Sequence, residues 1–293
     1  MKSVIIQLLE SLLQAEFIGE YSPGHMGASV LRFKHLVKGA LVVKIAADDG
    51  SMAAQDIADN LVGYQKIRLI GGGGILPDNL EELTVPGYKA IVMSDLGKAI
   101  RYSEKCPIKA KLLWLHYLDI VMVTRKTASK LASDYNPKLF IEEVLEAIKR
   151  FEGEGAVISS AISQSDLSDN YGDPALMLLD FTPDNVFMTP ANLSFIDPWK
   201  QKSYLGHPAV SIGQFVTLCR IYAVNGYEEA NSFLRKTCLN EMPKLIDCSP
   251  KSVEKAFRLG ATLQLVLSAY VRRVSEPERA EAFLDEAKQL WVQ

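Results

Sequence analysis

The apolar pattern of this chain changes period along its length, and that change constrains the fold more than any other feature. Early on, Gly39-Ala-Leu-Val-Val-Lys-Ile-Ala and Tyr88-Lys-Ala-Ile-Val-Met-Ser-Asp-Leu-Gly read as strands, the second broken at Gly97. Beyond Gly97 the spacing becomes helical. Lys109 to Ser133, Pro137 to Phe151, and segments 208–224, 226–240 and 250–291 all carry apolar residues at helical intervals. Strands early and helices late predict an α+β chain of two unlike lobes, a small β-rich one over residues 1–95 and a larger helical one over 96–293, rather than a βαβ repeat.

Some segments depart from this plan. Ile5, Leu8, Leu9 and Leu12 describe one face of a short N-terminal helix, and Ile57, Leu61, Tyr64 and Ile67 give a helix from about Met52 to Ile70. The glycine-rich turn after Gly19 is flanked by segments that can pair as strands. The run Gly71 to Gly74 follows a helix and lacks the Gly-Lys-Ser/Thr ending of a phosphate loop, so it reads as a connector. Ser159 to Gly172 reads as an exposed loop, and Ala175 to Leu179 and Leu193 to Ile196 as short strands either side of a polar turn.

Composition narrows the function. With 32 basic and 35 acidic residues, a net charge of −3 gives no reason to expect nucleic acid or an anionic membrane as partner. Cys106, Cys219, Cys238 and Cys248 form no CxxC pair, which argues against a disulfide framework or a zinc site. Gln7 and Glu10 interrupt the N-terminal apolar run, and the apolar run Leu112 to Val123 contains His116 and Asp119. Neither is expected to be a signal peptide or a membrane span, and a cytoplasmic protein is expected.

Two features carry chemistry. Lys44 is the single charge inside an apolar strand, either snorkelling from an edge strand or ion-paired and facing a phosphate. Leu178-Leu-Asp-Phe-Thr-Pro-Asp-Asn-Val-Phe-Met, followed by Leu193-Ser-Phe-Ile-Asp-Pro-Trp, sets Asp180, Asn185 and Asp197 in the order used for kinase-like phosphoryl transfer. One carboxylate accepts a hydroxyl proton, while an amide carbonyl and a second carboxylate are hard oxygen ligands for magnesium.

These residues resemble the aminoglycoside phosphotransferase and choline kinase-like family, relatives of the protein kinases, from about Gly19 to Gln214 and most sharply over Asp180 to Asp197. The resemblance implies a protein-kinase-like fold whose N-terminal lobe binds ATP and whose C-terminal lobe is catalytic and binds substrate. It implies that Lys44 contacts the ATP phosphates and pairs with Asp59, or failing that Asp56, on the next helix. A loop from Ser22 through Gly24 to Gly27 would cover the phosphates, and Met93, Ser94, Asp95 and Leu96 would form the hinge that meets adenine. Asp180 would be the catalytic base, and Asn185 and Asp197 would hold Mg2+.

Departures from that pattern are specific. Leu178 and Leu179 stand where His-Gly is usual, Asp184 replaces a glycine, and Ser211 occupies the position of an Asp that braces the catalytic loop. The expected activity is transfer of the γ-phosphoryl group to a hydroxyl of a small metabolite or antibiotic. The alternative is a non-catalytic nucleotide-binding or scaffold protein on the same fold. Residues 250–293 carry seven Lys/Arg against six Asp/Glu, which does not favour a polycationic acceptor. A choline-type ligand would favour an aromatic box; Trp199 and Tyr204 lie near the site in sequence, but two aromatics are more often packing residues.

Overall fold

The computed structural model describes residues 2–23, 26–102, 108–131, 138–151, 153–164, 170–188 and 192–292. In order the elements are α1 (Lys2–Leu13), β1 (Ala15–Tyr21), β2 (Ser29–His35), β3 (Gly39–Ala47), α2 (Met52–Leu69), β4 (Glu81–Glu82), β5 (Tyr88–Ser94), α3 (Ala110–Leu131), α4 (Lys138–Lys149) and α5 (Glu154–Gln164). They continue with β6 (Ala175–Leu176), β7 (Val186–Met188), β8 (Leu193–Phe195), β9 (Leu205–Gly206), α6 (Ala209–Ile221), α7 (Tyr227–Leu245), α8 (Pro250–Arg272) and α9 (Pro277–Gln289). The chain forms two compact units. The first is Met1–Gln65, Leu76–Gly97 and Ser194–Lys200; the second is Lys66–Ile75, Lys98–Leu193 and Gln201–Gln293.

The first unit is built on an antiparallel sheet in the order β1-β2-β3-β5-β4. Side chains alternate across a strand, so Leu41, Val43 and Ile45 of β3 enter a core with Leu31, Phe33, Ala90 and Val92, and with Leu9 of α1. The same alternation turns Lys44 to the opposite face. The expected pairing of the segments around the glycine-rich turn is observed, with a register shift between Phe17 and Gly19 that leaves Ile18 exposed. α1 is rotated from its expected face. Ile5, Ile6, Leu9 and Leu13 meet the sheet, whereas Leu8 and Leu12 are solvent-exposed, because the contact follows the sheet surface rather than the longest apolar stripe.

The second unit is helical and centres on α6, whose residues are buried except Arg220. α8 crosses it at close range. A Cβ on Gly213 would stand 2.1 Å from the Phe257 carbonyl oxygen, and one on Gly260 would stand 1.9 Å from that of Val210, so glycine is required on both helices. Ser249 caps α8 by accepting the Ser252 N–H at 3.0 Å, with Pro250 opening the first turn.

Two further expectations are modified and one is met. The helix predicted over 250–291 is two: α8 ends at Arg272, and Pro277, which disfavours a helical conformation at the preceding Glu276 (φ −143°, ψ 64°), opens α9. The loop expected from Ser159 begins inside α5, where Ser159 and Ile162 are buried; residues 165–169 lie outside the described residues. Gly71 to Gly74 is the connector expected. Gly71 takes a φ of +84° after α2, and a Cβ there would stand 2.8 Å from the Thr127 hydroxyl.

Candidate active site

In the first unit the site is assembled around one ammonium. Lys44 is only 6% exposed, and burial of a charge demands partners. It has three: Asp56 Oδ2 at 2.8 Å, Asn60 Oδ1 at 2.9 Å and Asp197 Oδ1 at 2.9 Å. Burial alone would lower its pKa, but the Asp197 and Asp56 carboxylates outweigh it and hold the group above the ordinary lysine range. The α2 carboxylate that pairs with Lys44 is therefore Asp56, not Asp59. Three helical steps of about 100° turn Asp59 about 60° away from Asp56, and it accepts instead from Gln55 and from Lys200 at 3.0 Å.

Asp56, Asn60 and Tyr64 recur every four residues along one face of α2. Asn60 also donates from Nδ2 to the Pro198 carbonyl at 3.3 Å, and the Tyr64 hydroxyl accepts the Asp197 N–H at 3.1 Å. Asp197 itself has a φ of +50°, a left-handed conformation that a non-glycine residue keeps only where its surroundings over-determine it. The Tyr64 and Lys44 contacts supply that determination.

In the second unit Asp180 and Asn185 face one another across a tight turn. Asn185 donates from Nδ2 to Asp180 Oδ2 at 2.6 Å, and its backbone N–H closes on the Thr182 carbonyl at 3.0 Å. The segment leading to Asp180 is held by neutral, buried side chains. Leu178 donates its N–H to Ser211 Oγ at 2.9 Å, so this serine braces the loop at the position where an Asp is usual. Gln201 accepts the Leu179 N–H at 2.9 Å and donates to the Met177 carbonyl at 3.1 Å, while Gln214 donates to the Leu179 carbonyl at 2.6 Å. Leu178 and Leu179 are buried, and their side chains pack where no polar group is needed. Asp184 is paired with Arg101 at 3.0 Å, and the Arg101 N–H donates to the Pro183 carbonyl at 3.0 Å. The Arg101 guanidinium in turn lies 3.6 Å from the centre of the Tyr222 ring.

No protein-family model matches the chain, and no curated protein matches it. Solved structures do. An aminoglycoside-3'-phosphotransferase of type VIII aligns with 14% identity and a TM-score of 0.50, over 89% of this chain and 98% of its own. An ethanolamine kinase from Plasmodium vivax gives 11% and 0.55 over 96% and 84%, and APH(2")-IIia in complex with GDP and kanamycin gives 9% and 0.53 over 98% and 98%. The fold is protein-kinase-like.

The remaining predicted positions of this kinase-like chain are the hinge and the glycine-rich loop. Met93 and Ser94 end β5, and the amides of Ser94 and Asp95 are taken by the carbonyls of Asp78 at 2.8 Å and Ala40 at 2.9 Å. The Leu96 N–H keeps no partner among the described residues. The Asp95 side chain turns away from such a role. It accepts from Tyr21 Oη at 2.9 Å, Arg32 Nε at 3.0 Å and the Gly97 N–H at 2.9 Å, which clamps the end of β5 to β1 and β2. Ser22 is exposed and Gly27 adopts a φ of +87°, while Gly24 lies outside the described residues.

Donor chemistry fits magnesium. Asn185 has its amide nitrogen committed to Asp180, leaving its oxygen, and Asp197 commits Oδ1 to Lys44. Among the described residues no three His, Cys, Asp or Glu side chains cluster as a cage. Magnesium is held in that sparse way, by one or two protein oxygens together with phosphates. Also among the described residues, Cys219, Cys238 and Cys248 are free thiols, and no helix is long and apolar enough to cross a membrane.

Sequence reasoning missed Asn60, Gln201, Tyr21 and Arg32. Asn60 carried a signal, since it lies four residues after Asp56, but the helical stripe was read for apolar residues alone.

Proposed function

We propose that this chain is an ATP-dependent phosphotransferase that moves the γ-phosphoryl group to a hydroxyl of a small molecule. The carrying observation is the buried Lys44, paired with Asp56 and with Asp197, a residue far along the chain that is held in a strained backbone. An edge-strand lysine reaching water needs none of that, whereas a lysine poised for phosphates does.

Lys44 binds the α- and β-phosphates, with Asp56 fixing its position. The Leu96 N–H offers a donor to the adenine edge, and Ser22 and Gly27 belong to the loop over the phosphates. Asn185 and Asp197 would hold Mg2+, which would supply charge neutralisation for the transferring group. Asp180 accepts the proton of the attacking hydroxyl, and the Asn185 amide at 2.6 Å orients its carboxylate. Pairing of Asp184 with Arg101 withdraws that carboxylate from the phosphates, so the replaced glycine does not add repulsion.

ADP release measured across a panel of small hydroxyl compounds tests this reading. Asp180→Ala is expected to lower turnover by at least ~10²-fold with nucleotide binding retained, since proton acceptance in the transition state is lost. Unchanged turnover in that variant would remove Asp180 from the role.

A further inference from the structure

Lys44 carries three N–H donors, and the structure engages all three, with Asp56, Asn60 and Asp197. A phosphate can be met by this ammonium only when one acceptor lets go. Asp56 and Asn60 hold it from the same helix, four residues apart, whereas Asp197 arrives from a distant stretch of chain. Asp197 is also the acceptor that a magnesium ion would reclaim. Exchange of Lys44 for magnesium at Asp197 is therefore built into the arrangement.

Asn60 is the group that touches both sides of that exchange. It is 2% exposed, its Oδ1 accepts from Lys44 at 2.9 Å, and its Nδ2 donates to the carbonyl of Pro198, the residue after Asp197, at 3.3 Å. A leucine of similar size would fill the same space without burying an amide. Resting on the reading of Lys44 as the phosphate lysine, we infer that Asn60 is a positioning residue that couples nucleotide binding at Lys44 to magnesium binding at Asp197. It touches neither ligand itself. Its two hydrogen bonds keep the ammonium and the Asp197 segment in register once their direct ion pair opens.

The test is a ratio that a merely structural role would not move: the affinity for a fluorescent ATP analogue in magnesium divided by that in EDTA. It is measured for the wild type, Asn60→Leu and Asn60→Asp, with ligand-free melting temperature as the folding control. Asn60→Leu removes both hydrogen bonds. Asn60→Asp retains the acceptor toward Lys44 but has no donor for Pro198, and remains available if the leucine variant does not fold. In both variants the ratio is expected to fall about tenfold, the order carried by one buried hydrogen bond, with the fold intact in at least the aspartate variant. A wild-type ratio in Asn60→Leu, or in Asn60→Asp, overturns the coupling while leaving the phosphotransferase reading in place. A wild type that binds no nucleotide in either buffer overturns both.

Discussion

The predicted functional residues of the two units are held in opposite ways. In the sheet unit, Lys44 is fixed by two carboxylates and an amide, a charged cluster in which Asp197 remains about one-third exposed. In the helical unit, the approach to Asp180 is fixed by Ser211, Gln201 and Gln214, all neutral and buried. Charged contacts near solvent rearrange when a cation or phosphate competes for them. Neutral hydrogen bonds in a packed interior have no such competitor, and breaking one strands its partner. On the proposed function, this difference gives ligand response to the lysine cluster and rigidity to the loop that carries Asp180.

Substitution separates the two most sharply at Lys44. Lys44→Met is expected to reduce affinity for ATP with magnesium at least ~10-fold at a modest cost in ligand-free stability, ~1–3 kcal/mol from the stranded, buried Asn60 oxygen, because the two carboxylates it releases have access to water. A large loss of ligand-free stability with unchanged nucleotide affinity would reverse the assignment. Next in size, Gln201→Leu leaves the Leu179 N–H and the Met177 carbonyl without their partner and should cost ~1–3 kcal/mol by urea unfolding. Nucleotide affinity should stay near wild type in that variant. A stability equal to wild type would mean that water replaces the glutamine and that the loop is not rigid.

Acid titration sharpens the same contrast. His207 is fully buried among Phe140, Tyr171 and Cys248, and its Nδ1 accepts the Ala209 N–H. Burial pushes its pKa down to about 3. An unfolded histidine titrates near 6.5, so between about pH 6.5 and 3 the unfolded chain binds the additional proton. Its contribution is thus intact above pH ~6.5 and declines as pH falls, by at most ~1.4 kcal/mol per pH unit. His207→Phe should flatten that limb in urea unfolding at stepped pH. An unchanged slope would assign the acid sensitivity elsewhere. The Lys44 cluster responds at the other extreme. Its raised pKa makes its contribution full below the ordinary lysine value and lost only as pH rises through the shifted one.

Much of this was legible in the sequence because it is local. The period change announces a β-rich and a helical part, and a lone lysine in an apolar strand needs a partner wherever it is placed. Asp180, Asn185 and Asp197 lie within a short stretch whose spacing follows the kinase-like order. What was not legible depends on how elements sit against one another. The choice of Asp56 over Asp59 is set by the rotation of α2 about its axis against β3, since two residues three positions apart differ by only about 60° around a helix. The return of Ser194–Lys200 to the sheet unit follows no composition shift. Gln201 and Ser211 look like ordinary polar residues until the backbone groups of 177–179 are seen to lie beside them. Asp95 was read for its backbone, and its side chain serves a clamp whose other members, Tyr21 and Arg32, lie on β1 and β2.

The most direct test of the central claim is thermal unfolding with ATP alone, magnesium alone and both together, in wild type and Asp197→Ala. A ligand that binds only the folded chain raises its apparent stability. ATP with magnesium is expected to raise the melting temperature more than the separate additions combined, and Asp197→Ala is expected to abolish the excess. No shift at millimolar ATP, or an excess that survives in Asp197→Ala, would contradict a magnesium-dependent nucleotide site built on Lys44 and Asp197.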